Sequence, residues 1–160
     1  MVRFRDPLPP DPDTLEVDAI LVASEGRAIS EAAIALAVNI ARRSGARVYV
    51  FSIARVWGTG LGLPMPGLLP TRAEWDVQHK SVRKAVEALR KRGVEADGRV
   101  VGTRKAGKRI VAEAVRLGCG AIVMGGDPQR NRFVADFAWS QEPYRVRRRT
   151  RLPVYVVSGG

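Results

Sequence analysis

Five short apolar runs, separated by stretches whose apolar positions recur every three or four residues, lay out the plan of this chain. Ala19-Ile20-Leu21-Val22-Ala23 follows Val17 and is closed by Ser24-Glu25-Gly26-Arg27; with no polar position alternating inside it, it predicts a strand buried on both faces. A helix is expected next. Ser30 has the hydroxyl an N-cap uses, Glu31 suits the positive end of a helix, and Ile34, Ala37, Val38 and Ala41 repeat at helical spacing until Arg42-Arg43-Ser44-Gly45 closes the pattern. Val48, Tyr49, Val50, Phe51 and Ile53 make residues 47–53 a second strand rich in β-formers, completing a βαβ unit whose crossover is right-handed by rule.

The alternation continues. Thr71 is placed to cap a long amphipathic helix with Trp75, Val82, Val86 and Leu89 on its inner stripe, Arg83, Lys84, Arg90, Lys91 and Arg92 outside, and Gly93 at its end. Arg99-Val100-Val101-Gly102 predicts a third strand, and residues 108–117 a helix with Ile110, Val111 and Ala114 inward. Ala121-Ile122-Val123-Met124-Gly125-Gly126-Asp127 reads as a fourth buried strand emptying into a tight glycine turn, the kind of turn that lets a ligand approach bare backbone N–H groups. Ser140 before Gln141, Glu142 and Pro143 suits the start of a short helix, since proline is tolerated in the first turn. Leu152-Pro153-Val154-Tyr155-Val156-Val157 is the last strand, and its proline argues for an edge. The fold class expected is α/β: a three-layer sandwich with a parallel sheet and helices on both faces, of Rossmann-like kind.

Two stretches fall outside the pattern. Residues 1–16 hold four prolines and alternating charge, and are expected to form a flexible arm before a single domain at 17–160. Between Trp57 and Pro70 glycines and prolines alternate with leucines; Gly58-Thr59-Gly60-Leu61-Gly62 lacks the spacing of a dinucleotide fingerprint, and a loop of this length suits a lid over a crevice.

Composition narrows the classes of function. At 160 residues, one domain buries about two thirds of its unfolded surface without staples. The net charge of +11, from 27 Lys and Arg against 16 Asp and Glu, favours anionic partners such as phosphates or nucleic acid. A lone cysteine, Cys119, rules out an intramolecular disulfide or a cysteine metal cluster, and with His79 in a charged helical stretch no cysteine–histidine nucleophile is expected. No run of about 18 apolar residues occurs, so a soluble cytoplasmic protein with no membrane partner is expected. No metal site is foreseen, and enzymatic activity beyond weak ATP hydrolysis is not.

Several of these segments together resemble the universal stress protein family, from Asp18 to Val157. Ala19 to Gly26 with Ser30-Glu31-Ala32-Ala33 is similar to that family's opening strand, acidic turn and first helix; Gly118 to Gly125 resembles its fourth strand, and Leu152 to Val157 its closing one. The resemblance implies a five-stranded parallel sheet between helices, often dimerising through the last strand. ATP-binding members carry G-x2-G-x9-G-[S/T] after the fourth strand; counted from Gly126 the matching positions here are Gln129, Trp139 and Ser140, so the hydroxyl survives and two glycines do not. The aspartate such proteins place after the first strand is Glu25 here.

These readings converge on a non-catalytic stress-response or signalling module binding ATP, another adenine nucleotide or a small phosphorylated anion between the first and fourth strands. Its site residues would be Ser24, Glu25, Gly125, Gly126, Asp127, Arg130, Arg132 and Ser140, with the two arginines as phosphate forks. Alternatively Phe137 or Trp139 fills the pocket, leaving a structural or regulatory homodimer paired through the last strand. A further alternative, less favoured, is nucleic-acid binding through the tract from Arg145 to Arg151, where Arg147, Arg148 and Arg149 crowd together.

Overall fold

The structure is a computed structural model that describes residues 8–55, 72–126 and 142–158. Five strands, β1 (Ala19–Ser24), β2 (Arg47–Arg55), β3 (Ala96–Thr103), β4 (Ala121–Gly125) and β5 (Val154–Val157), alternate with four helices, α1 (Glu31–Ser44), α2 (Arg72–Lys91), α3 (Ala106–Arg116) and α4 (Glu142–Arg149). All strand pairs are parallel, in the order β3-β2-β1-β4-β5. The expected α/β sandwich is therefore what forms.

Strand residues divide between two cores by parity. Ile20, Val22, Val48, Val50, Ala121 and Val123 pack with α1 and α2 on one face; Leu21, Phe51, Ile53, Ile122 and Met124 pack with α3 and α4 on the other. Every residue of β1 is buried, as its unalternating apolar run requires. Cys119 sits in the second core, where burial, with the charge of Glu113 adding to it, pushes its thiol up to about 11.

β3 begins three residues earlier than the pattern suggested, because Ala96-Asp97-Gly98 looks like a turn but pairs in register with Val48-Tyr49-Val50. Gly98 is a packing requirement: a Cβ there would overlap the Val82 methyl of α2 and press on Val86 at 3.0 Å. α2 can lie flat on this end of the sheet only because position 98 has no side chain.

Part of the segment expected to stay loose is seated on the domain. A 3-10 turn, Pro12–Thr14, is capped by Asp11; Asn39 donates to Asp13 at 3.0 Å, Arg43 donates to the carbonyls of Pro12 and Leu15, and the Tyr155 hydroxyl donates to the Pro10 carbonyl at 2.7 Å. The fastening is mostly polar, which is why low apolar content suggested freedom. Among the described residues no helix is long and apolar enough to cross a membrane, and no group of three or more His, Cys, Asp or Glu could hold a metal ion.

α3 carries a carboxylate on its inward side. Glu113, only 1% exposed, accepts a two-pronged fork from Arg116 (2.5 and 3.3 Å) and a longer bond from Arg99 of β3 at 3.4 Å. Arg116 outweighs the burial penalty, so the carboxyl titrates below its ordinary value of 4.5. A lowered folded-state pKa adds stability above the ordinary value and loses it as pH falls through the folded one. Glu113→Gln is expected to cost about 1–2 kcal/mol at neutral pH, less than a fully buried pair because both arginines are half-exposed. The gap between the two proteins in urea midpoint should close progressively below pH 4.5; a gap constant with pH would contradict this role.

Candidate functional site

The strand order puts β1 and β4 side by side while the chain leaves them in opposite directions, β1 toward β2 and β4 toward β5. Such a switch point opens a crevice beyond the carboxyl ends of the two strands. Ala23 lies opposite Met124, so Ser24 and Gly125 are the next residues to emerge, on neighbouring strands about 5 Å apart.

On the β1 side the chain closes into a tight turn. The Ser24 hydroxyl accepts from the Arg27 N–H at 3.1 Å and donates to the Arg27 carbonyl at 2.5 Å, and Gly26 adopts φ 93°, which a side chain would resist. Ser24 thus shapes the turn through a hydroxyl engaged at both ends. Glu25, in the same turn, is buried at 3% exposure.

On the β4 side Gly125 faces the start of α1: a Cβ there would meet the Ser30 Oγ at 3.4 Å. Ser30 is the N-cap foreseen from the pattern, its hydroxyl accepting from the Ala33 N–H at 3.1 Å. Gly125 therefore brings β4 against the positive end of α1. The Gly126 N–H is committed to the sheet, donating to the Val157 carbonyl at 2.9 Å, so this glycine offers a bare Cα rather than a free amide. Asp127, Arg130, Arg132 and Ser140 lie outside the described residues, as do Phe137, Trp139, Thr71 and the glycine- and proline-rich loop.

A scan against family models matches the Universal stress protein family over residues 16–158. The chain belongs to the universal stress protein family. Solved structures of that family share its architecture. One is a universal stress protein family member from Burkholderia pseudomallei, 22% identical, covering 88% of this chain and 95% of that one at a TM-score of 0.64. Another is the universal stress protein from Archaeoglobus fulgidus in complex with dAMP, 22% identical, covering 86% and 95% at 0.62. A third, a universal stress protein family protein from Arabidopsis thaliana with AMP bound, is 11% identical and covers 89% and 92% at 0.57. At these identities the likeness is one of fold. The search of curated proteins finds no match.

The universal stress fold of this chain has a polar brace that the reading of the sequence passed over. Gln78 of α2, 3% exposed, donates through Nε2 to the Gly26 carbonyl at 3.1 Å and accepts through Oε1 from the Ser52 hydroxyl of β2 at 2.6 Å. The carbonyl can only accept, so the amide orientation is forced and the hydroxyl must donate. One side chain thereby ties α2, β2 and the β1 turn together beside the crevice. The available signal was a glutamine lying on the helix's inner stripe between Trp75 and Val82. His79, its neighbour, is exposed and stacks on Trp75 with centroids 5.8 Å apart, in keeping with a surface role.

Gln78→Glu tests the brace. At neutral pH a carboxylate oxygen would face the Gly26 carbonyl in a buried site, and the urea midpoint should drop by the equivalent of about 1–3 kcal/mol or more. Acidification should recover part of that difference from wild type, because the neutral acid regains a donor for the carbonyl. An unchanged midpoint at neutral pH would show that the amide contributes nothing to holding the turn.

Proposed function

We propose that this universal stress protein family member is a non-catalytic stress-response or signalling module that binds an adenine nucleotide or another phosphorylated anion in the β1/β4 crevice. The observation that carries the reading is the meeting of three features at the switch point: the buried Glu25 turn, the close approach of Gly125 to Ser30, and the capped N-terminus of α1 that Ser30 begins. Support comes from the solved relatives whose structures hold dAMP or AMP. In this reading Glu25 takes ribose hydroxyls, and Gly125 and Gly126 let the ligand come close to the strand ends. Ser24 holds the shape of the turn. The segment after β4 supplies Asp127 and Ser140 as polar contacts and Arg130 and Arg132 as the phosphate forks that replace the glycines of the ATP-binding motif.

Calorimetric titration with ATP, ADP and AMP tests it. Wild type should bind at least one of them, and the double substitution Arg130→Ala with Arg132→Ala should weaken the triphosphate by at least about tenfold, since each charge-assisted bond contributes about 1.5–3 kcal/mol. Binding of adenosine should change little. Absence of heat with all three nucleotides, together with none retained through purification, would remove the reading.

We further propose a homodimer joined through β5. The sheet order leaves this strand with a neighbour on one side only, and an edge of unpaired N–H and C=O groups is a template for a second copy. Sedimentation equilibrium should return twice the chain mass of 17.5 kDa. A single-chain mass across the concentration range would reject the dimer.

A further inference from the structure

At the end of the sheet opposite the crevice, a concavity of about 420 Å³ lies between the last turn of α4, the start of β5 and the segment at residues 8–10. Its charged lining is entirely guanidinium: Arg147, Arg148 and Arg151, with no carboxylate among the described residues that line it. Leu8 and Leu152 are among its apolar lining. The walls are fixed in place. Arg147 donates to the Val154 carbonyl at 2.8 Å, tying α4 to β5, and the Tyr155 hydroxyl holds the Pro10 carbonyl, anchoring the segment that forms the opposite rim.

Basic residues at a helix C-terminus are ordinary, because one or two of them offset the negative end of the helix. Here the number exceeds that need. Arg145, Arg148 and Arg149 are all exposed on α4, and spacings of three and four residues place them in a row along one side of the helix that continues outward from the concavity. Arg151 extends the row past the helix end and is also exposed. A single small phosphate would satisfy one or two guanidinium groups. A row of four, on a chain of net charge +11, matches a ligand with a repeating charge.

We infer that this face binds the phosphodiester backbone of a nucleic acid, separately from the β1/β4 crevice and without dependence on a nucleotide there. Contacts of this kind go to phosphate rather than to base edges, so binding is tolerant of sequence and falls steeply with salt.

Fluorescence anisotropy with a labelled single-stranded oligonucleotide, titrated at a series of salt concentrations, tests the inference. Wild type should bind, with log K falling linearly in log salt. Arg148→Glu with Arg151→Glu should lower affinity at least about tenfold and flatten the slope by about 1 to 2, the loss of two phosphate contacts at roughly 0.7 each for a single strand. Arg148→Lys with Arg151→Lys should keep the slope, since the charge remains, and guards against a loss caused by misfolding. The matched control, Lys84→Glu with Lys91→Glu on the outer face of α2, should leave the slope unchanged. Saturating ATP should not compete, which separates this face from the crevice whether or not the crevice binds a nucleotide. No binding by wild type, equal losses in the two charge-reversed pairs, tripolyphosphate binding as tightly as the oligonucleotide, or displacement by ATP would each overturn it.

Discussion

Complete burial of β1, on both faces and along both edges, is the constraint from which the rest of the architecture follows. Six consecutive residues with no exposed position need helices above and below and hydrogen-bonded strands to either side. The chain meets that need by building β2 and β3 outward from one edge with α1 and α2 on one face. It then crosses back to place β4 and β5 on the other edge with α3 and α4 on the opposite face. Right-handed crossovers leave this arrangement with one reversal of direction, at β1 and β4, and the crevice is located there by topology before any side chain is considered.

Polar groups enter this apolar frame at a few positions, and Gln78, Ser52 and Glu113 among them are matched by partners. Gln78 and Ser52 bond to each other, and the remaining amide donor reaches the β1 turn; Glu113 is met by Arg116 and Arg99. Buried polar groups of this kind add little net stability once desolvation is counted, but they are costly to leave unmatched, and so they favour one arrangement of the surrounding elements over its near neighbours. The brace at Gln78 acts where the β1 turn must keep one shape. Glu113 acts on the other face, joining α3 to β3 across a part of the sheet that α3 only partly covers.

Much of the fold was legible because it was written in periodicity. The doubly buried strands at 19–24 and 121–125, the Ser30 cap and the edge character of the proline-led last strand are local statements that the chain makes residue by residue. What escaped depended on contacts distant in sequence. Ala96-Asp97-Gly98 reads as a turn until β2 is laid beside it, and Gly98 reads as a breaker until α2 is seen to need the space. Gln78 looks like an interruption of an apolar stripe, since its partner Ser52 lies 26 residues away; Glu113 looks like another, and although Arg116 stands one helical turn on, its second partner Arg99 lies 14 residues back on β3. At the crevice, the residue types at the strand ends were legible. The use of the Ser24 hydroxyl within its own turn and of the Gly126 N–H in the β5 ladder were not, because a sequence shows which groups are present and not which are already engaged.

The placement of β1 also bears on how the chain emerges during synthesis. Its first neighbour, β2, follows after some twenty residues, but the second, β4, begins only at Ala121. Until Ala121 and the residues after it have been made, this fully buried strand has one edge unmatched, and the segment at residues 8–15 waits longer still for the Tyr155 hydroxyl that holds its Pro10 carbonyl. The nascent half-sheet is therefore a sticky intermediate by construction, and the interval before its closure is the period in which a growing chain of this design most needs shielding from its neighbours.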